Sequence, residues 1–352
     1  MAQFHSLNIK SIEKVTEKSV AITFDIPENL KDNFVFKAGQ YITIKTTINR
    51  EEIRRDYSIC SSKNSRDLTV AVKAIEGGKF SIYANEKLRT GDTIEVAEPN
   101  GRFVFEANGA KTRTIAAFAA GSGITPILSI AKTLLEDEPF SNFILVYGNK
   151  TLNEAMFAED LMRLKYTYGN RFHVHFICSQ AQEEDALFGR IEKSTVNLIV
   201  KNKYKGVTIE NFYLCGPEQM IHTVKDVLVE NGVKEKKILF ELFTAPVETE
   251  SGSNINLPSG NTKIKVLVDE EEFEFEMSQE KSILDAALKQ DIDAPYSCQG
   301  GICSSCIARL TEGEVKMRQN NILTDDEVAE GLILTCQAHP TSASVAVDYD
   351  DV

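Results

Sequence analysis

The sequence predicts a multidomain chain in three parts: an antiparallel β-barrel, an α/β unit on a parallel sheet, and a small α+β module. Three observations predict it. The 352 residues exceed one ordinary domain and suit two or three. The hydrophobic pattern changes at Asn108-Gly109 and again across a polar stretch from Thr244 to Asn261. Charge changes with it: from Lys263 to the C-terminus, 7 basic and 19 acidic residues give a net charge of −12, against 32, 33 and −1 upstream.

Up to about Phe105 the chain reads as short β-segments, Val20 to Phe24, Tyr41 to Thr46, Leu68 to Lys73 and Thr93 to Ala97, separated by closely spaced turns. That pattern predicts an antiparallel barrel over residues 1–107. From Thr112 apolar strands alternate with helices. The strands are Thr114 to Ala119, Phe143 to Tyr147, His173 to Cys178 and Phe212 to Cys215, and the helices Ile127 to Leu135, Glu154 to Leu164 and Met220 to Asn231. Such alternation predicts a parallel sheet covered by helices over 108–243. Thr244 to Asn261 holds three Ser, two Pro, two Gly and three Asn, the composition of a flexible linker. Beyond it, Lys263 to Val268 and Phe273 to Met277 alternate like a hairpin, and Ser282 could cap a helix running to Gln290. The module spans 262–352.

Composition excludes several classes. Apolar residues at 42% and charged residues at 26% sit near the globular average, which excludes wholesale disorder. A net charge of −13 opposes nucleic-acid binding, which draws on Lys and Arg. The N-terminus shows neither a basic n-region nor an apolar core, so a cytoplasmic chain is expected. The one apolar stretch resembling a membrane span, Thr114 to Ala131, is broken by Gly121, Gly123 and Pro126. Seven Cys is an odd number and favours metal or redox chemistry over a disulfide framework.

The strongest motif lies in the third part: Cys298-x4-Cys303-x2-Cys306, then 29 residues, then Cys336. Four thiolates at this spacing are the plant-type arrangement for a [2Fe–2S] cluster, and Gly300 and Gly301 let the loop wrap closely. Structural zinc prefers two CxxC pairs or Cys/His mixtures, and only one CxxC is present here. In the second part, Gly121-Ser122-Gly123-Ile124-Thr125-Pro126 sits between a predicted strand and a predicted helix, suited to a phosphate approaching the backbone. Cys215-Gly216-Pro217 follows another strand, at the sheet's carboxyl end, where α/β folds bind ligands. The barrel carries Arg55-Asp56-Tyr57-Ser58 and Gly78-Lys79-Phe80-Ser81. Arg can pair with phosphate, Tyr can pack on a flat ring and Ser can donate to a ring nitrogen, although an ordinary exposed strand fits these residues nearly as well.

Jointly, RxYS, GxxS, GSGITP, YGN, CGPxxM and the C-terminal Cx4Cx2C resemble the ferredoxin-reductase family with a fused plant-type ferredoxin, across essentially the whole chain. Supporting stretches are Ala71 to Ser81, Ser282 to Leu288 and the terminal Val-Asp-Tyr-Asp-Asp. The resemblance implies an FAD-binding barrel, an NAD(P)-binding α/β domain and a β-grasp ferredoxin domain. It implies that Arg55, Tyr57 and Ser58 hold the flavin while Gly78, Lys79 and Ser81 cradle its pyrophosphate. Gly121, Gly123, Thr125 and Pro126 would receive the nicotinamide nucleotide, with Cys215, Gly216 and Pro217 beside the nicotinamide. Ser58, Cys215 and Glu241 would serve catalysis, with Phe243 near the flavin. Cys298, Cys303, Cys306 and Cys336 would ligate the cluster.

The activity so implied is electron transfer from NAD(P)H through FAD and the cluster to the oxygenase component of a multicomponent monooxygenase or epoxidase, docked through the acidic module. The alternatives are the reductase of a ring-hydroxylating dioxygenase or di-iron desaturase, or a non-catalytic electron-transfer subunit. Two departures bear on specificity. Gln180 follows Ser179 where relatives often carry an Arg for a 2′-phosphate, so NADPH over NADH leans on Lys150; and Leu242 stands where relatives can carry Arg. His173 and His175 read as a partly solvated strand, Cys60 and Cys178 as small core residues.

Overall fold

The computed structural model describes residues 3–65, 67–243 and 260–352. Its residues group into two compact units, Phe4–Phe243 and a second one running to Val352. The linker expected over 244–261 lies, through residue 259, outside the described residues, and Asn261 already belongs to the first strand of the second unit.

The first unit opens with β1 (Phe4–Thr16), β2 (Ser19–Asp25), β3 (Tyr41–Ile48), β4 (Glu51–Ser58), β5 (Leu68–Lys73) and β6 (Thr93–Ala97). They pair antiparallel in the order β4-β3-β6-β1-β2-β5. The sheet then closes on itself: Ile59 bridges Val70, and the Cys60 amide donates to the Thr69 carbonyl at 2.9 Å. Closure removes the open edges, as the expected barrel requires. Strands β1 and β4 were illegible by alternation because β4 is largely charged and β1 mostly polar or part-exposed; only Leu7 and Ile9 of β1 are fully buried. Helix α1 (Lys79–Glu86) plugs the barrel with Phe80 and Ala84.

The same unit continues with β7 (Thr114–Ala120), α2 (Ile124–Asp137), β8 (Asn142–Asn149), α3 (Ala158–Tyr168), β9 (Phe172–Cys178), β10 (Ala186–Phe188), α4 (Lys193–Asn197), β11 (Ile209–Gly216), α5 (Glu218–Glu230) and β12 (Ile238–Leu242). All six strands are parallel, in the order β10-β9-β8-β7-β11-β12. Strands buried on both faces read as continuous apolar runs, and Ile115 to Ala119 and Phe143 to Tyr147 do so. The stretch that resembled a membrane span is β7, a glycine turn and α2, and among the described residues no helix is long and apolar enough to cross a membrane. The helix expected from Glu154 to Leu164 begins only at Ala158. Ala155 and Met156 sink into the core, and Phe157 takes a left-handed turn (φ 60°) before the helix starts.

Barrel and sheet share one core. Ala38, Cys60, Ala71, Phe103 and Phe105 from the barrel join α2 and the sheet in a single hydrophobic cluster, and Phe103 meets Tyr213 edge-on at 5.4 Å. At the junction the Arg113 guanidinium lies 4.8 Å over the Phe105 ring and grips Glu138 with two hydrogen bonds, 2.6 and 3.0 Å. Glu138, fully buried, also accepts from Ser141 Oγ (2.6 Å) and from the Asn108 amide (2.8 Å). Arg113 reaches Glu210 at 2.9 Å and the Glu106 carbonyl at 2.8 Å. The boundary expected at 107/108 falls inside this network.

The second unit contains β13 (Asn261–Val268), β14 (Glu271–Ser278), α6 (Ile283–Lys289), β15 (Ile307–Glu312), β16 (Val315–Met317), α7 (Asp325–Ala329), β17 (Leu332–Leu334), β18 (Ala338–Pro340) and β19 (Ser344–Asp348). The main sheet runs β14-β13-β19-β15-β17, with β13 and β19 parallel and the other neighbours antiparallel. It curls round α6, whose Ile283, Leu284 and Ala287 are fully buried, giving the expected β-grasp. Ser282 caps that helix, accepting from the Asp285 amide at 3.1 Å.

Burial opposes ionisation of Glu138, but Arg113, Ser141 and the Asn108 amide together hold its carboxyl below the usual glutamate value of 4.5. Its contribution to stability is therefore complete above pH 4.5 and lost as acid carries the pH through the depressed value. Glu138→Ala strands a buried guanidinium and is expected to destabilise the Phe4–Phe243 unit by about 3–5 kcal/mol in denaturant unfolding. A loss under 1 kcal/mol would show that the junction does not hold the two halves.

Candidate functional site

Strand β4 presents its residues alternately. Arg54 is buried, bonded to Glu52 at 2.9 Å and stacked over Phe4, whereas its neighbour Arg55 is exposed. Tyr57, two residues along on the face of Arg55, packs on Phe80 at 5.4 Å. Ser58 turns the other way and is buried. Gly78 is the N-cap of α1, where a Cβ would lie 2.3 Å from Ser81 Oγ and 2.6 Å from the Ile75 side chain, so any larger residue must displace them. Ser81 Oγ holds this loop, donating to the Gly78 carbonyl and accepting from the Ile75 amide, both at 3.3 Å. Lys79 is exposed and paired with Glu51 at 2.6 Å.

The glycine turn after β7 and the Cys215-Gly216 turn after β11 touch backbone to backbone. A Cβ on Gly123 would stand 2.1 Å from the Cys215 carbonyl oxygen and 2.8 Å from the Gly216 nitrogen. These strands are neighbours, and β7 is where the sheet order reverses direction, the topological switch point at which α/β sheets bind ligands. Thr125 Oγ1 donates to the Ser122 carbonyl at 3.0 Å, and the buried Tyr147 hydroxyl donates to the Gly121 carbonyl at 2.9 Å. Thr125 and Pro126 are both buried, so they shape the turn from beneath. Tyr147 belongs to the YGN motif, yet nothing in the sequence marked it as a buttress of the glycine turn.

Ser58, Cys215 and Glu241 come together where the barrel meets the sheet. Cys215 pairs with Glu241 across β11 and β12, and Ser58 Oγ, 183 residues before Glu241, donates to its Oε2 at 3.1 Å. Burial, only partly offset by that hydrogen bond and reinforced by Asp56, pushes the Glu241 carboxyl up to about 8. Cys215 is fully buried, and desolvation first, then the Glu241 charge, raises its thiol well above normal. It is a neutral wall at neutral pH and no nucleophile. Phe243 follows β12 and is 38% exposed.

Lys150 and Gln180 are brought side by side at the carboxyl ends of β8 and β9: the Gln180 amide donates to the Lys150 carbonyl at 2.9 Å and the Ser179 amide to Asn149 at 3.0 Å. The Asn149 Nδ2 is buried there without a hydrogen-bond partner. Sequence reasoning did not single out this amide; its place at a strand's carboxyl end was the available signal. His173 and His175 do share a face, but both lie against the Tyr204 ring (5.6 and 5.7 Å), with Lys203 at 3.3 Å from His175.

In the second unit, Cys303, Cys306 and Cys336 are buried and Cys298 half-buried, none in a disulfide. The loop wraps as its glycines suggested. The Gly300 amide donates to Cys298 Sγ at 3.3 Å, and Gly301, at φ 70°, turns its amide to Cys336. A Cβ at Gly301 would press on Gln337 (3.0 Å) and the Gln319 carbonyl (3.2 Å). Gln337 Nε2 donates to the Gln299 carbonyl at 3.1 Å and approaches Cys336 Sγ at 3.7 Å. Ser297 Oγ, beside Cys298, is buried with no protein partner. Four soft thiolates, amides directed at sulfur and an orphaned hydroxyl fit a [2Fe–2S] cluster.

Family models match in the same order: an oxidoreductase FAD-binding domain over 6–105, an oxidoreductase NAD-binding domain over 118–226 and a 2Fe-2S iron-sulfur cluster binding domain over 266–341. The chain is 39% identical over 352 residues, 99% of either protein, to a component of the 1,2-phenylacetyl-CoA epoxidase of Escherichia coli strain K12. The chain belongs to the ferredoxin-reductase family that carries a C-terminal [2Fe–2S] domain. It is also 31% identical, over 99% of its length and 98% of the relative's, to the ferredoxin reductase component of a 3-ketosteroid-9-alpha-monooxygenase from Mycolicibacterium smegmatis. Phthalate dioxygenase reductase shares the fold, with a TM-score of 0.63 at 24% identity and 98% coverage of each chain. So does a ferredoxin NADP+ reductase from Neisseria gonorrhoeae with bound FAD and NADP, at 0.58 and 23% over 69% of this chain and 99% of that one. The reductase is thus an NAD(P)H-dependent oxidoreductase with FAD, NAD and [2Fe–2S] domains, and the alternative of a non-catalytic subunit falls away.

Because Glu241 holds its proton through neutral pH, its ionisation would place a charge in the poorly solvated seam where barrel and sheet meet. Its raised value favours the fold below pH 4.5 and that contribution is lost as pH rises through about 8. NADPH-driven ferricyanide reduction is expected to decline across the same limb, and Glu241→Gln, which keeps the hydrogen-bonding shape without the charge, to flatten it. An unaltered limb in Glu241→Gln would assign the titration to another group.

Proposed function

We propose that this reductase passes electrons from NADPH to the oxygenase component of a phenylacetyl-CoA epoxidase. Identity of 39% along nearly the full length to a component of such an epoxidase is the observation that carries the acceptor. FAD and the [2Fe–2S] cluster, when bound, supply the conversion of a two-electron hydride donor into single electrons. The chain's own residues do the rest. Arg55 offers an exposed guanidinium to the flavin phosphate and Tyr57 a ring face to the flavin, while Gly78, shaped by Ser81, lets a phosphate approach the start of α1. Lys79 can join them by leaving Glu51.

Gly121, Gly123, Gly216 and Pro217 form the backbone floor for the nicotinamide nucleotide, with Thr125 and Pro126 holding it from below. Cys215 excludes water there, and Glu241 keeps a proton within reach of Ser58. Lys150 supplies the cation for a 2′-phosphate where Gln180 cannot, which favours NADPH over NADH. Cys298, Cys303, Cys306 and Cys336 hold the cluster. The −12 charge of the ferredoxin module suits docking on a basic oxygenase surface, and thiolates that must stay reduced suit the cytoplasm.

Anaerobic stopped-flow with NADPH is expected to bleach flavin absorbance before cluster absorbance; the reverse order would defeat the relay. Lys150→Ala is expected to raise KM for NADPH about tenfold, the effect of losing one charge-assisted contact, and to leave KM for NADH within about twofold. Equal losses for both nucleotides would remove Lys150 from 2′-phosphate recognition.

A further inference from the structure

Two of the cluster cysteines are separated by 29 intervening residues, and their backbones must be held at one spacing. Cys306 directly precedes β15, and Cys336 follows β17 by two residues. The two strands pair antiparallel, but the pairing ends at Ile307 against Leu334, short of either ligand. Thr335 spans the gap. Its amide and its hydroxyl both donate to the Cys306 carbonyl, at 3.1 and 2.9 Å, and its side chain is fully buried.

A threonine hydroxyl rotates and serves as donor or acceptor. Here the Tyr349 hydroxyl donates to Thr335 Oγ1 at 2.9 Å, which commits the Thr335 proton to Cys306. Tyr349 is 6% exposed and lies in the tail just past β19. That tail has anchors of its own. The Tyr349 amide donates to the Leu267 carbonyl at 2.9 Å, and Arg309 pairs with Asp351 at 2.8 Å. The Asp350 carboxylate accepts from the Asp269 and Glu270 amides, at 2.9 and 2.8 Å, whose left-handed backbones (φ 53° and 63°) turn the β13–β14 hairpin. The phenol ring fills space and the tail is tied down without the hydroxyl, so the hydroxyl's remaining work is at Thr335.

We propose that Tyr349 is a positioning residue of the [2Fe–2S] cluster: through Thr335 it fixes the Cys306 carbonyl and with it the spacing of the Cys306 and Cys336 thiolates. This rests on the ligand reading of the four cysteines. The terminal Val-Asp-Tyr-Asp-Asp thereby acquires a task that its acidic residues alone would not suggest.

The test uses the full chain, anaerobically loaded with iron and sulfide. Tyr349→Phe is expected to lose its cluster to a chelator about three- to tenfold faster than the unaltered protein, the range one net hydrogen bond supports. It is also expected to shift or broaden the electron paramagnetic signal of the dithionite-reduced cluster. Thr335→Val should do the same, the double variant no more than Thr335→Val alone, and Thr335→Ser, which keeps the hydroxyl, should match the unaltered protein. An unchanged spectrum and chelation rate in Tyr349→Phe, whatever its thermal stability, would overturn the proposal, as would additive effects in the double variant. Should Thr335→Val fail to load, the spectrum of Tyr349→Phe set against Thr335→Ser decides alone. An unaltered chain that takes up no cluster would instead sink the ligand reading itself.

Discussion

The reductase half depends on the buried pairing of Arg113 with Glu138. A bidentate guanidinium–carboxylate contact, with further donors on the carboxylate and an aromatic ring beneath the guanidinium, satisfies two charges that burial would otherwise penalise. Because its partners come from the end of the barrel, the start of the sheet and the end of α2, it orients one half against the other. Every later feature of the site inherits that orientation. Were barrel and sheet free to shift by even an ångström, the 3.1 Å contact from Ser58 to Glu241 would not persist.

Around that joint the site keeps ionisable groups uncharged. Glu241 is held protonated and the Cys215 thiol neutral for the same reason, loss of water. A reaction that moves negative charge equivalents across such a region benefits from surroundings that do not repel them. Positive charge sits instead at the periphery, on the exposed side chains of Arg55, Lys79 and Lys150. The ferredoxin unit follows another logic: an amide donates to the Cys298 sulfur and the Thr335 hydroxyl to the Cys306 carbonyl, and the unit carries nearly all the net charge of the protein.

Much of the fold was legible because its signals are short. The apolar runs of β7 and β8 have no solvated face, so they read as parallel strands at once. Strands β1 and β4 escaped because charged residues line one side of a barrel wall, and only pairing with neighbours makes them strands. The late start of α3 was hidden too, since Ala155 and Met156 suit a helix locally and leave it only because the core takes them. In the site, Gly78 and the glycines of the cluster loop announced themselves, whereas the buried amide of Asn149 and the lone hydroxyl of Ser297 acquire meaning only through what surrounds them.

The amino-acid sequence by itself determined the cluster loop, the glycine turns and the order of the three parts. The first two are settled within a few consecutive residues, by how closely a backbone can bend and which atoms it then exposes, and the third by changes of pattern and charge along the chain. Tertiary structure alone decided that Ser58 meets Glu241, that the Gly123 backbone lies against Cys215 and that Tyr349 reaches the Cys306 carbonyl through Thr335. Those contacts join residues far apart along the chain, and no local preference encodes them. Only the packing of whole elements against one another brings such groups to bonding distance.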